Sequence, residues 1–247
     1  MPTDRDTTPP TRLQEPGSVG PFFALRTDDG NADAEGYLPL PGRIGEAVRL
    51  RTRTVADRLG TADRRVAASV AFQGIAGRLL SVALGSAVLS GGIPDLCDGR
   101  LGWHPARTAP EDLWLPRPTA LPHPAGLAEQ IREHVVHGIL ADLHRATREA
   151  VPVSGRLLWG NAGSALAGAL RVLHTWCREQ DRPREAGRAL ALARAVLEDP
   201  VLRDTGTLTA RADTGPAFVR TTCCLYYRVL PGGMCGDCVL RHPPRAR

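Results

Sequence analysis

Residues 66–92, "VAASVAFQGIAGRLLSVALGSAVLSGG", form the longest apolar run in the chain, and the fold class turns on how that run is read. Its length suits a membrane span, which needs about 20 apolar residues. Gln73 and Arg78 sit in its middle, however, and an arginine at the centre of a span costs about 2.5–3.5 kcal/mol on insertion. The run therefore reads as the buried core helix of a helical protein, with its cap near Thr61 and no stable membrane insertion.

Outward from that helix the pattern stays helical. "IGEAVRLRTRTVADRL" precedes it, and "SGGIPDLCDGRLGWHP" breaks it with Gly and Pro. Residues 101–125 hold Trp103 and Trp114 among prolines and suggest short extended pieces packed across the helices. Residues 126–150 place Leu127, Ile131, Val135, Ile139 and Leu143 four apart on one slowly drifting face, which predicts a single helix. Two more helices follow, one from Ser154 with a run of small residues around 160–169, and one over 183–199 stopped by Pro200. After Thr205, "AFVRTTCCLYYRVL" is rich in β-branched and aromatic residues and reads as a short strand or hairpin arm. The expected architecture is mainly α: a largely disordered arm over 1–40, a helical domain over 41–212 and a small module over 213–247.

The chain has 247 residues, enough to bury a core without covalent staples. Its 31 basic residues are all arginine, and 26 acidic residues are interspersed among them, for a net charge of +5. No basic block stands out, so the charge reads as a solvated surface and no nucleic-acid partner is expected. The polar, Pro-rich start "MPTDRDTTPPTRLQEPGS" has no apolar segment of a secretory signal. A cytoplasmic location is the expectation, and in that reducing setting clustered thiols read as metal ligands rather than disulfides.

Four of the six cysteines crowd into residues 223–238. Cys223 and Cys224 are adjacent, ten residues follow, and Cys235 and Cys238 close a CxxC whose Gly236 permits a tight turn. Adjacent residues of a strand point to opposite faces. The first pair can therefore serve one centre only where the backbone bends, or where the centre is wider than a single ion. A [2Fe–2S] cluster, with two thiolates on each iron, is such a centre; a Cys₄ zinc site also uses CxxC, and spacing leaves both open.

"TTCCLYYRVLPGGMCGDCVL", residues 221–240, resembles the C-terminal iron–sulfur domain of ferric siderophore reductases of the FhuF type, in its spacing, its "CCLYYR" and its "CGDC". "VSGRLLWGNAGSAL", residues 153–166, resembles an internal segment of that family around a Trp-Gly-Asn. The resemblance implies a [2Fe–2S] cluster held by Cys223, Cys224, Cys235 and Cys238, and one-electron reduction of Fe(III) in an imported siderophore. No nucleotide or flavin motif is visible, so an external donor such as a ferredoxin is expected. The competing readings are an iron–sulfur sensor that regulates transcription and a structural zinc module.

Arg220, Arg228 and Arg241 flank the cysteines, where positive charge would favour a reduced cluster, though arginine is abundant throughout. Trp159 and Asn161 are candidates for contact with the cluster domain or the substrate, against core packing and a helix or docking hydrogen bond. His134, His137 and His144 fall within an arc of about 80° on a helical wheel. With Arg145 and Arg148 they read as a solvated face or as a cationic rim for an anionic ferric complex, which makes His137 a substrate candidate alongside Arg228. Cys177 reads as core and Cys97 as a loop thiol.

Overall fold

The computed structural model describes residues 10–30, 36–122, 126–211, 213–229 and 233–240, with the side chains of 10–14 left aside. Arg241, residues 1–9 and 31–35 of the expected arm, and residues 123–125 lie outside the described residues.

The apolar run forms α2, Arg64–Leu89. Asp63 caps it, its carboxylate accepting from the Arg65 amide at 3.0 Å, and Thr61 Oγ1 in turn accepts from the Asp63 amide at 3.2 Å. The cap thus stands two residues past the expected Thr61. Among the described residues α2 alone is long and apolar enough to cross a membrane, and 78% of its most apolar window is buried inside the fold. Burial nearly all round is what a helix apolar on every face requires. It is achieved by α1 (Ile44–Leu59), α5 (Gly155–Glu179) and α6 (Pro183–Leu197), all of which pack on α2. α1 ends where Gly60 turns left-handed at φ 59° and its amide returns to Asp57 and Ala56 carbonyls.

Arg78, the charge that argued against a membrane span, is almost wholly buried and organises the amino-terminal segment. Its Nε donates to Asp112 at 2.8 Å, and its other nitrogens donate to the carbonyls of Phe22 and Ala24. Phe23 is buried beside it, and Tyr37 and Leu40 are buried further on. A largely disordered arm over 1–40 is therefore not what the described part of that arm shows. The polar composition misled because a few buried side chains, Phe23, Tyr37 and Leu40, and the main-chain carbonyls of Phe22 and Ala24 carry the attachment. Three two-residue strands, β1 (Leu38–Pro39), β2 (Gly102–Trp103) and β3 (Leu113–Trp114), form an antiparallel sheet that buries both tryptophans.

Residues 127–150 depart from the single expected helix. α3 (Leu127–Gln130) passes into a π-helical stretch, Ile131–Leu140, and then α4 (Ala141–Ala150), with Gly138 leaving helical geometry at φ −85°, ψ −108°. A side chain at Gly138 would meet Cys97 Sγ at 2.8 Å. The strict spacing of four is wider than the 3.6 of an α-helical turn and was the available sign of this wider winding.

The chain closes with a hairpin, β4 (Gly206–Arg211) and β5 (Gly215–Arg220), in antiparallel register with Gly206 opposite Arg220. β4 lies before the 212/213 boundary and β5 after it, so the hairpin spans the division drawn from sequence. Phe218, inward on β5, lies against Gly163 of α5 and Gly206, and β5 packs along α5.

Candidate iron–sulfur site

The tail leaves β5 at Arg220 and is tied down at each step. The Arg220 amide donates to the Asp237 carbonyl at 3.1 Å, and the Thr221 amide to the Thr205 carbonyl at 2.9 Å. Beyond the adjacent cysteines the chain turns at Leu225, a non-glycine residue at φ 69°, and enters a 3₁₀ turn, Tyr226–Arg228. Left-handed backbone at a bulky residue is uncommon and points to a constrained site. It supplies the bend that two adjacent ligands need. The Leu225 amide donates to Cys223 Sγ at 3.3 Å, and at the CxxC the Leu240 amide donates to Cys238 Sγ at 3.4 Å. The CxxC turn itself is closed by the Cys238 amide on the Cys235 carbonyl at 3.1 Å.

Two helices hold this loop pair. Asp237, between the CxxC cysteines and mostly buried, accepts from Ser164 Oγ at 2.6 Å and from Arg171 Nη1 at 2.7 Å, both on α5. Asn161, fully buried on α5, donates from Nδ2 to the Ser69 carbonyl at 2.8 Å and to Ser69 Oγ at 2.9 Å, and its Oδ1 accepts from Arg220. Ser69 on α2 donates its own hydroxyl hydrogen bond to the Cys224 carbonyl at 2.7 Å. Gly160 beside Asn161 leaves the space that the Thr222 side chain fills. The Trp-Gly-Asn segment and the cysteine segment are thus two halves of one joint.

The thiols of Cys224 and Cys235 are hydrogen-bonded to each other. That bond, aided by the charge of Arg220 and opposed by burial, lowers the Cys224 thiol to about 6. The same bond, with burial, raises Cys235. The pair gives up one proton easily and the second only against the first thiolate. A two-iron cluster asks for two pairs of thiolates, and the four cysteines with their amide donors are a soft donor set of that kind. Two buried atoms beside them, Arg220 Nη1 and Thr222 Oγ1, have no partner. The residues present fit the cofactor.

A groove of about 550 Å³ runs between α2 and α5 and opens onto Cys224 and Cys235. Gln73, Gly74 and Gly77 form its α2 wall, and Gly168 and Arg171 its α5 wall. Phe22 and Val172 line it as exposed apolar side chains, and Tyr226 lines it beside the cysteines.

The other sequence candidates do not meet there. His137 bonds Asp199 at 2.7 Å, His144 stacks on Trp159 with ring centroids 4.8 Å apart, and the His134 carbonyl accepts from Cys97 Sγ, so no histidine arc forms. Gly138 breaks the winding on which that arc depended. Trp159 lines a separate cavity of about 780 Å³ that shares no residue with the groove. Asn161 is too buried to touch a substrate, and contacts the cluster segment instead. Arg228 pairs with Asp63 at 2.8 Å rather than lining the groove. Cys177 is buried in the core, as expected. Ser69, Ser164 and Arg171 were not singled out in the sequence; Asp237 was visible only as a letter of the CxxC.

Residues 220–240 match the family model described as FhuF 2Fe-2S C-terminal domain. All four clustered cysteines fall inside the match, and the cofactor is a [2Fe–2S] cluster, which removes the zinc reading. No curated protein matches the chain.

Proposed function

We propose that the protein is a ferric siderophore reductase, with Cys223, Cys224, Cys235 and Cys238 as the ligands of its cluster and the groove between α2 and α5 as the substrate site. The observation that carries this reading is the opening of the groove onto Cys224 and Cys235. When bound, the cluster supplies one electron at a time, the stoichiometry that Fe(III) to Fe(II) demands. Fe(III) is held tightly by the hard oxygens of hydroxamates and catecholates, and Fe(II) much less so. One electron therefore frees the metal and leaves the carrier intact.

The chain's own part is placement. Gly74, Gly77 and Gly168 keep side chains out of the groove, whose volume lies within the range of small-molecule sites. Phe22 and Val172 offer apolar contact, and Gln73 and Tyr226 offer hydrogen bonds. Arg171 and Ser164 hold Asp237, and through it the CxxC turn, against the groove wall. The reading takes its electron from an external donor such as a ferredoxin, in the cytoplasm, with no nucleic-acid partner and no membrane insertion.

Anaerobic assay with a colorimetric Fe(II) trap tests it. The wild-type protein releases trapped Fe(II) from a ferric siderophore when supplied with reductant, and Cys235→Ser is bleached and inactive. A Cys235→Ser protein that keeps its colour and activity would contradict the ligand assignment.

A further inference from the structure

We propose that Arg220 is the fixed counter-charge of the cluster, a buried guanidinium positioned by Asn161 whose anion is the cluster itself, and that it raises the cluster's reduction potential.

Among the described residues two arginines are each only 1% exposed, Arg78 and Arg220. Arg78 has the carboxylate of Asp112 at 2.8 Å and two further carbonyls. Arg220 has no carboxylate within ion-pair distance among the described residues. Its Nε donates to the Thr222 carbonyl at 3.1 Å, its Nη2 to Asn161 Oδ1, and its Nη1 to nothing. Asp237 gives Arg220 only its carbonyl, because its carboxylate is committed to Ser164 and Arg171. A buried cation without an anion is strongly unfavourable. A four-thiolate [2Fe–2S] centre supplies the anion, with two negative charges when oxidised and three when reduced.

The position agrees with that role. Arg220 stands three residues before Cys223, and its amide is bonded at 3.1 Å to the carbonyl of Asp237, which lies between the two CxxC cysteines. Because the reduced cluster is the more negative, a cation fixed in a low-dielectric site favours reduction more than oxidation. Arg228, the other described arginine flanking the cysteines, is half-exposed and matched by Asp63. The inference rests on the tail holding the cluster and is independent of the substrate.

The test is an anaerobic spectroelectrochemical titration of the full chain with its cluster, comparing wild type, Arg220→Gln, Arg220→Lys and, as a surface control, Arg228→Gln. Arg220→Gln disfavours reduction at least about tenfold, a fall of about 59 mV for one electron. Arg220→Lys recovers most of it, and Arg228→Gln changes far less. An Arg220→Gln protein with an intact cluster spectrum and the wild-type potential overturns the proposal. Should Arg220→Gln fail to hold a cluster, Arg220→Lys decides: retention with lysine supports the counter-charge, and equal loss in both variants overturns it. A wild-type protein without a cluster would instead defeat the assignment of the tail.

Discussion

Asn161 on α5 and Arg220 at the end of β5, 59 residues apart in sequence, share a buried hydrogen bond that locks the cysteine segment onto the helices. Ser69 of α2 completes the joint by donating to the Cys224 carbonyl. Replacing Asn161 with Leu removes the shared partner of both and leaves the Arg220 guanidinium short of an acceptor. Hydrogen bonds to charged groups are worth about 1.5–3 kcal/mol, and Asn161→Leu is expected to lose at least that in denaturant unfolding, with faster loss of the cluster. Unaltered stability would mean that the joint does not hold the tail.

Gly160→Ala tests the same joint sterically. An added methyl improves helix propensity by about 1 kcal/mol, but here it runs into Thr222. Overpacking costs about 1–3 kcal/mol, so the variant is expected to be less stable than wild type, and Thr222→Ala is expected to restore much of the loss. Additive effects in the double-mutant cycle would show that the two residues do not meet.

Filling the groove separates binding from folding. Gly74 faces open space, and Gly74→Leu replaces a poor helix former with a good one, so the protein gains up to about 1 kcal/mol in stability. The same side chain narrows the groove, and the apparent affinity for ferric siderophore is expected to fall at least about tenfold with the cluster spectrum unchanged, about 1.4 kcal/mol of binding. Wild-type binding by this variant would place the substrate elsewhere.

The histidine at 144 imparts a pH dependence to folding. Burial, with Arg148 nearby, pulls His144 below its ordinary value of 6.5, against the Gly155 carbonyl that favours its proton. The unfolded chain therefore binds the proton more readily than the fold does. Stability is complete above about pH 6.5 and falls as pH drops toward the lower folded value. Denaturant unfolding between about pH 5 and 7.5 should show a shallower acid loss for His144→Phe, which keeps the stack on Trp159. Parallel curves would remove His144 from the account.

Much of this was legible in the residues. Apolar runs and apolar periodicity located α1, α2, α5 and α6; the cysteine spacing pointed to a metal centre, and the resemblance of the tail to the FhuF type supplied the [2Fe–2S] cluster. What stayed hidden depended on partners remote in sequence. Nothing local to Phe22 and Phe23 shows that Arg78 will hold their segment by its carbonyls. Asn161 read as a helix or docking hydrogen bond, with cluster or substrate contact as the rival, and only the fold names Ser69 and Arg220 as its partners. The histidine arc failed because it assumed 3.6 residues per turn through Gly138, where the helix widens against Cys97.

The central claim is that the tail's cluster passes an electron to siderophore-bound iron, and one anaerobic experiment tests it most directly. The purified protein is assayed for iron and sulfide, reduced, freed of excess reductant, and mixed with a ferric siderophore while its visible spectrum is followed. The account predicts about two irons and two sulfides per chain and recovery of the oxidised spectrum as Fe(II) appears in the trap. A cluster that stays reduced in the presence of the siderophore would contradict it.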